Sequence, residues 1–512
     1  MRYDVAIVGY GPTGMVLSLL LAKLGRRVVI LEKFDGLYNL PRAACFDDET
    51  MRTFQHLGLA EKMLAGTNIQ RGYEWLNGKG DVLLDIEYDN PGKCGWPSQY
   101  MMYQPHVEDV LDRAAKGHER ITVRQGTMVT GYHEKGDHVV VQAKGADGAT
   151  VEVEASYVVG ADGGSGYTRT YLGSQLDDYG FFENWLVCDF EMPAPVAGLP
   201  SFRQVCNPAQ PVSIVNIGPR HHRFSFRLEK DEDRDSATAP ERVWARVAAY
   251  LKPDQAQLIR VANYTFRSRI VQSWRRNRIL LAGDAAHEMP PFLAQGMVSG
   301  IRDARNLSWK LDAVLSGQDD RLLDSYQIER EPHVRFITEK AIELGHVQTM
   351  RDPAEAEKRD ARLMAVRAAN RKPDKLIYPG LTGGMIANDG QLLPQGLVSS
   401  AQKTALFDDV VGTGWRIVAK GPDALQALTP ELRAAWAALG GGEAIFNLSS
   451  IVGGGDLSDT GGVYTRWFDQ TGAAAAVVRP DSYIYGLASS ATELATLLSQ
   501  LTETLAPATR AA

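Results

Sequence analysis

Apolar and polar positions along the chain change period in a recurring order. Tyr3–Val8 is a short apolar run, Met15–Leu24 is apolar at most positions and closed by Gly25, and Arg27–Leu31 is apolar again. Short apolar runs bounded by glycine read as buried strands, and the longer run closed by glycine reads as a helix. Val151–Val159 alternates and then turns apolar, a further strand. Ile279–Ala282 predicts another buried strand. From about Gly296, the residues Met297, Ile301, Ala304, Leu307, Leu311 and Val314 recur three or four apart, which predicts a helix with one apolar face. Between these two elements Gly283, Asp284, Pro290 and Pro291 force an irregular loop, since proline lacks an amide donor and restricts its neighbour.

The middle of the chain has a different rhythm. Trp185–Met192, Val212–Ile217, Arg223–Leu228 and Gln257–Arg267 are alternating runs, which predict a mainly antiparallel sheet. Leu323–Leu344 predicts a long helix, and a charged helical stretch follows through Arg371. Pro373, Pro379 and Gly380–Gly384 mark a boundary. Beyond it Trp415–Ala419, Pro430–Leu439, Ala473–Val478 and Ala491–Leu505 are strand and helix candidates.

With 512 residues the chain exceeds what one hydrophobic core organises, so two or three domains are expected. The division that fits these patterns has a discontinuous first domain, 1–172 with 273–350, and a sheet domain, 173–272. A helical linker, 351–384, and a C-terminal domain, 385–512, follow. Net charge is −7 with both signs interspersed, which makes no case for nucleic acid or an anionic membrane as partner. The longest apolar runs, such as Met15–Ala22, fall far short of a bilayer span. A strand begins almost at Met1, leaving no room for a signal peptide, and the four cysteines show no CxxC spacing. Reduced thiols in a cytoplasmic protein are expected. No cluster of metal-ligand spacing occurs, so no metal is expected.

Three turns carry the chemistry. Gly9-Tyr-Gly-Pro-Thr-Gly14 sits between a strand and a helix, and Glu32 ends the next strand, 18 residues after Gly14. That context makes a dinucleotide fingerprint of an otherwise weak motif. Gly9 permits the tight turn, Gly11 lets a pyrophosphate approach, and Gly14 lets the helix pack on the sheet. Glu32 suits both ribose hydroxyls and argues against a 2′-phosphate, so FAD or NAD(H) fits better than NADP(H). The second turn, Gly160-Ala-Asp-Gly-Gly-Ser-Gly-Tyr-Thr-Arg169, delivers Asp162 from a strand. Asp162 can bond cofactor hydroxyls or cap the loop. In the third, Asp284 enters a cleft at which the N-terminus of the Gly296 helix points. Its free amides and positive dipole end suit a negatively charged group such as a reduced flavin. Arg42 and Gln104 are further candidates for the cofactor cleft, and His287 is expected to pack and hydrogen-bond.

The order GxGxxG, DG, GD resembles the single-component (class A) FAD-dependent aromatic hydroxylases. The pieces LPRAACFDDETMRTFQHLGL, GDAAHEMPPFLAQGMVSGIRDARNLSWKL and SYQIEREPHV are similar to the branch of 3-(3-hydroxyphenyl)propionate and polyketide hydroxylases. The likeness covers roughly residues 1–350, with a weaker one over 385–512. It implies an α/β fold: a Rossmann-like FAD-binding domain of the para-hydroxybenzoate hydroxylase type interleaved with a mainly antiparallel substrate domain. The C-terminal domain would be thioredoxin-like. It holds no cysteine, which excludes a dithiol role and leaves stability or an oligomer contact, in a monomer or homodimer. Where the family usually has serine in the DG motif this chain has Gly166, beside Ser165, so the serine contact is not carried over.

The resemblance further implies FAD held by Gly9, Gly11, Pro12, Thr13, Gly14, Glu32, Lys33, Arg42, Gln104, Asp162, Gly283, Asp284, Gly296 and Met297. NADH or NADPH is a transient co-substrate with no Rossmann domain of its own. An aromatic, phenolic substrate would be hydroxylated with O2 through a flavin C4a-hydroperoxide. Pro290, Pro291 and Gly296 would form the flavin environment, and Phe181, Trp185, Arg203, Phe224 and Phe292 would line the substrate pocket. Arg203, Arg227 or His221 could hold a substrate carboxylate. A reductase or halogenase-like flavoenzyme of this fold, or a non-catalytic flavoprotein, is the alternative; the halogenase element WxWxIP is absent.

Overall fold

The structure, a computed structural model, describes residues 2–229, 231–369, 376–448 and 455–506. Arg371 and Pro373, named above as a helix end and a boundary signal, lie outside the described residues.

The first sheet runs Arg275–Arg276, Ile279–Leu281, Thr150–Gly160, Tyr3–Val8, Val28–Leu31, Ile121–Arg124. All neighbours are parallel except the first pair. Thr150–Gly160 explains its own change of pattern. Its first half, alternating, pairs antiparallel with Val139–Lys144, while Tyr157–Gly160 is flanked by Tyr3–Val8 and Ile279–Leu281 and is almost wholly buried. A central parallel strand is covered on both faces and therefore needs apolar residues at every position. This sheet brings the ends of Tyr3–Val8, Thr150–Gly160 and Ile279–Leu281 side by side, and each of the three turns leaves from one of them.

The second sheet runs His287–Glu288, Gln257–Val271, Leu176–Glu191, His221–Arg227, Val212–Asn216, Phe202–Cys206, Gly72–Asn77, Val82–Glu87. It is antiparallel apart from the pair Phe202–Cys206 with Gly72–Asn77. Two of its strands thus come from within 1–172, where the sequence division assigned everything to the first domain. No local signal marks this, because Arg203 pairs with Glu74 across more than a hundred residues.

The helix expected from Gly296 is Gly296–Leu315, here called the central helix. It is buried all round rather than on one face: every residue from Val298 to Leu311 is buried, including Arg302, Asp303, Arg305, Asn306 and Lys310. Three of these four buried charges are paired directly, Arg302 with Glu49, Asp303 with Arg330 and Lys310 with Glu329. The cover on the polar side is the C-terminal part. Its mixed sheet, Gly442–Ile445, Arg416–Ala419, Ala475–Val478, Ile484–Ala488, carries the helices Pro430–Ala438, Val463–Thr471 and Ala491–Thr504. It docks through Arg479 on Glu329 at 2.8 Å, Trp309 against Trp415 at 5.5 Å between ring centres, and a bidentate Arg52–Asp408 pair at 2.7 and 2.9 Å. No described helix is long and apolar enough to cross a membrane, and all four cysteines are buried thiols.

Candidate active site

The three glycines of the first turn have three separate reasons. A methyl on Gly9 would lie 2.3 Å from the Ala161 carbonyl oxygen, and the residue has φ +105°. A methyl on Gly14 would lie 2.3 Å from the Gly9 carbonyl oxygen. Gly11 is the opposite case, since beyond its chain neighbours no protein atom comes within 4 Å of its would-be Cβ. It is the N-cap of the Pro12–Lys23 helix, with no side-chain cap and no acid in the first turn. Open space in front of free amides is an anion site. Glu32 accepts from the Tyr10 amide at 2.8 Å and the Phe34 amide at 3.0 Å. A carboxylate has about four lone-pair directions, so it can still receive ribose hydroxyls. Lys33 is exposed beside it, over the Phe34 ring.

The second turn abuts the first. Asp162 Oδ2 accepts from both the amide and the hydroxyl of Thr168 at 2.9 Å, so it caps the following short helix. Its Oδ1 is buried with no partner among the described residues, and burial raises its pKa. Gly166 is needed here, because a methyl would fall 2.3 Å from the Asp162 carboxyl carbon. The third turn is reached through Thr13: methyls on Gly283 and Gly300 would lie 2.8 and 2.2 Å from its hydroxyl oxygen. Arg169 closes the triangle by pairing with Glu288 at 3.0 Å.

Asp284 is exposed on the third turn. Solvent reaches it, yet protein surrounds it closely enough that burial raises its pKa, against the pull of His287. Its loop is clamped from behind by Asp303, which accepts from the Gly283 amide at 3.0 Å, His287 Nε2 at 2.6 Å and Arg330 Nε at 2.9 Å. His287 is therefore a buried strut, as expected. The central helix begins in front of the loop with N-cap Gln295, no side-chain cap and no acid in its first turn. At Gly296 only Met289 comes within 4 Å of a would-be Cβ, and Met297 is half-buried beside it. Pro290 lies buried before the Pro291–Leu293 turn.

Gln104 is fully committed to shaping the Arg42 loop. Its carbonyl accepts from the Arg42 and Ala43 amides and its amide donates to Glu108 at 2.6 Å. Two arginines do the same from the sheet: Arg223 and Arg260 donate to the Pro41 carbonyl at 2.8 and 2.6 Å while both pair with buried Asp189. None of the three was foreseen, though a charge inside an apolar strand, as in WLVCDFEM, signals a buried pair. The Arg42 side chain is exposed and reaches Glu108 at 3.1 Å.

A cavity of about 1290 Å³ lies between the second sheet, the Pro291–Gln295 segment and the helix Asp324–Gln348. Strand alternation selects its wall: Trp185 and Val187, Phe202 and Gln204, Ser213 and Val215, Tyr264 and Phe266. Trp185 and Phe292 line it with ring centres 6.0 Å apart. Phe181 sits one layer back, against Phe292 at 5.7 Å. Phe181 is therefore not a lining residue, and two others expected there are corrected as well. Phe224 is turned to the far face and packs with Phe190 in the opposite core, because it is out of phase with Arg223 and Ser225 on its own strand. Arg203 is out of phase with Phe202 and Gln204 and binds Glu74 at 2.7 Å. Arg227 is buried on the Thr349 and Pro208 carbonyls, and His221 stacks on Tyr103 at 3.7 Å. The wall guanidiniums are all paired, Arg42 with Glu108, Arg223 with Asp189, and Arg302 with Asp47 and Glu49. Lys340 pairs with Glu343. Burial, with Asp47 adding to it, pushes the wall carboxyl of Asp48 up to about 7.

Comparison with known proteins agrees with this geometry. A family described as "FAD binding domain" matches residues 2–341, and one described as "HcaD C-terminal domain" matches 390–504. A Rhodococcus jostii protein named "Probable NADH-specific resorcinol 4-hydroxylase" is 62% identical over 98% of this chain and 95% of its own. A Mycobacterium avium 3-(3-hydroxy-phenyl)propionate/3-hydroxycinnamic acid hydroxylase is 34% identical over 94% of this chain and 89% of its own. The chain belongs to the FAD-dependent aromatic hydroxylases. Among solved structures, aklavinone-11 hydroxylase with FAD and aklavinone has a TM-score of 0.79 at 22% identity, covering 98% of this chain and 99% of its own. The monooxygenase PieE with FAD and substrate has 0.85 at 20%, covering 99% of each. These two share the fold.

The hydroxylase's own residues fit FAD. The open Gly11 position, the orphaned Asp162 oxygen and two uncapped helix starts all await polar or anionic partners. Asp284 supplies a test. A carboxylate whose pKa is raised by burial costs the folded chain stability at pH values above its unfolded pKa. The apo form of Asp284→Asn is expected to melt no lower than wild type in a circular-dichroism scan. Its FAD dissociation constant, read by flavin fluorescence, is expected to rise ~10-fold or more through loss of a charge-assisted hydrogen bond. A variant that melts lower and binds FAD as wild type does would make Asp284 a structural residue.

Proposed function

We propose that this hydroxylase places one oxygen atom of O2 on the ring of a resorcinol-like 1,3-diphenol, with NADH as electron donor. NADH, H⁺, O2 and the diphenol give NAD⁺, water and a trihydroxybenzene. Bound FAD supplies the hydride acceptance and the oxygen activation. Gly11 and the two helix starts would carry its phosphates and the negative charge of its reduced ring. Glu32 and Asp162 would take hydroxyls, and Asp284 the ribityl or pyrophosphate region. Pro290, Pro291 and Phe292 would wall the ring, and the apolar cavity keeps water from the reacting centre. Trp185, whose indole N–H has no acceptor among the described residues, would meet a phenolic oxygen.

The 62% relative named for resorcinol carries the choice of substrate, and the pairing of most wall cations supports it. A phenylpropionate brings a carboxylate, and burying one without a free cation costs several kcal/mol. Arg42, Arg223, Arg302 and Lys340 already hold carboxylates, and Lys93, the remaining lysine of the wall, is exposed and without an ion pair among the described residues. A neutral diphenol asks for none. The same relative is named for NADH as well. Resorcinol is expected to stimulate NADH oxidation with a kcat/KM roughly 100-fold above that of 3-(3-hydroxyphenyl)propionate, about 2.7 kcal/mol. Labelled oxygen from O2 should appear in the product. Preference for the carboxylated phenol would sink the proposal.

For the C-terminal unit we infer a thioredoxin-like topology. Its four strands take the spatial order second, first, third, fourth, with the first two parallel and the others antiparallel, and a helix follows each of the first, second and fourth. Buried thiols and the use of NADH are in keeping with a cytoplasmic setting.

A further inference from the structure

The cavity wall is completed from the far end of the chain. Tyr483 belongs to the C-terminal unit and lines the cavity. It follows Ser482, a non-glycine residue at φ +70°, in a turn where the Ser482 amide donates to the Arg479 carbonyl at 2.9 Å. Its hydroxyl donates to Glu49 Oε1 at 2.8 Å. Glu49 Oε2 accepts from Arg302 Nε at 2.6 Å, and Arg302 Nη1 donates to Gln295 Oε1 at 2.7 Å. Gln295 is the N-cap residue of the central helix and itself lines the cavity. Tyr483, Arg302 and Gln295 are each at most 6% exposed. Hydrogen bonds in such surroundings polarise one another, and breaking one leaves its neighbours short of a partner.

We infer that Tyr483 is a positioning residue of the active site. Through Glu49 and Arg302 it sets where Gln295 and the first turn of the central helix stand. The C-terminal unit is then part of the catalytic cavity as well as a cover for the central helix. A plain anchoring role would use the same contact, so the test turns on readouts that anchoring does not move.

Tyr483→Phe keeps the ring and removes one hydroxyl. In the FAD-loaded full-length enzyme, KM for the stimulating phenol and the fraction of NADH oxidation that ends as peroxide are both expected to rise, with kcat changed less. The FAD dissociation constant, measured without substrate, should rise too, each by about two- to tenfold, the worth of one hydrogen bond. Glu49→Gln should do the same, and the double variant should add little to either, since both act through one chain of contacts. Wild-type KM, peroxide fraction and FAD affinity in Tyr483→Phe overturn the inference, whether or not its melting temperature falls. So does full additivity in the double variant. Should Tyr483→Phe not fold, Glu49→Gln carries the same readouts from outside the C-terminal unit. The FAD titration needs no turnover, so it decides the matter even where resorcinol is not the substrate.

Discussion

Gly11→Val is expected to yield a folded protein that has lost its yellow colour. Gly11 has φ −85° and ψ 179°, extended backbone that valine adopts readily, and beyond its chain neighbours no protein atom lies within 4 Å of the new Cβ. The new Cβ therefore enters open space. The branched side chain fills the space in front of the helix amides, where the pyrophosphate must stand. Exchanging glycine for valine at an N-cap costs about 1 kcal/mol, a few degrees of melting temperature at most. FAD affinity should fall ~100-fold or more, about 2.7 kcal/mol. Flavin absorbance after desalting and a circular-dichroism melt read the two effects separately. Gly9→Val is the control. At φ +105° and 2.3 Å from the Ala161 carbonyl oxygen, it should fail as a fold, with little soluble protein. Gly11→Val purified with a full complement of FAD would mean the cofactor lies elsewhere.

What could be read ahead of the structure divides along a physical line. The three turns were legible because each is local: a strand end, a glycine or acid, a helix start, all within fifteen residues or so. Their convergence followed from parallel strands whose ends must lie together, as Tyr3–Val8, Thr150–Gly160 and Ile279–Leu281 do. Recruitment of Gly72–Asn77 to the second sheet was not legible, since pairing partners far apart in sequence leave no periodic trace. Alternation in His221–Arg227 separates two faces but does not say which one meets the cofactor, so Phe224 was placed on the wrong side. The spacing in the central helix marks one apolar face and says nothing of what covers its charges. Their partners Glu329 and Glu49 sit in other helices, and Arg479 and Tyr483 beyond those partners come from the C-terminal unit. Only tertiary structure shows that the charged side is buried as well.

Among those buried charges Asp303 should matter most to stability. It has no exposure and serves three donors, the Gly283 amide, His287 and Arg330. Asp303→Ala leaves Arg330, 1% exposed, without its carboxylate, and a buried pair broken on one side costs about 3–5 kcal/mol. The urea midpoint should fall accordingly, and FAD should be lost with it, because the loop carrying Asp284 loses its clamp. The pH dependence gives a second check. Burial alone would raise the Asp303 carboxyl, but His287 and Arg330 outweigh it and hold it down at about 2. The unfolded value is about 3.9. A depressed folded value means stabilisation that is complete above the unfolded pKa and disappears as pH falls towards the folded one. Between about pH 5 and pH 3 this group alone should cost wild type on the order of 1 kcal/mol. Asp303→Asn, with nothing to titrate there, should lose that much less over the same interval while starting from a lower stability. Urea titrations of both proteins at the two pH values measure the difference. Equal acid sensitivity, or a wild-type midpoint in Asp303→Ala, would mean that the Asp284 loop is held by something other than this carboxylate.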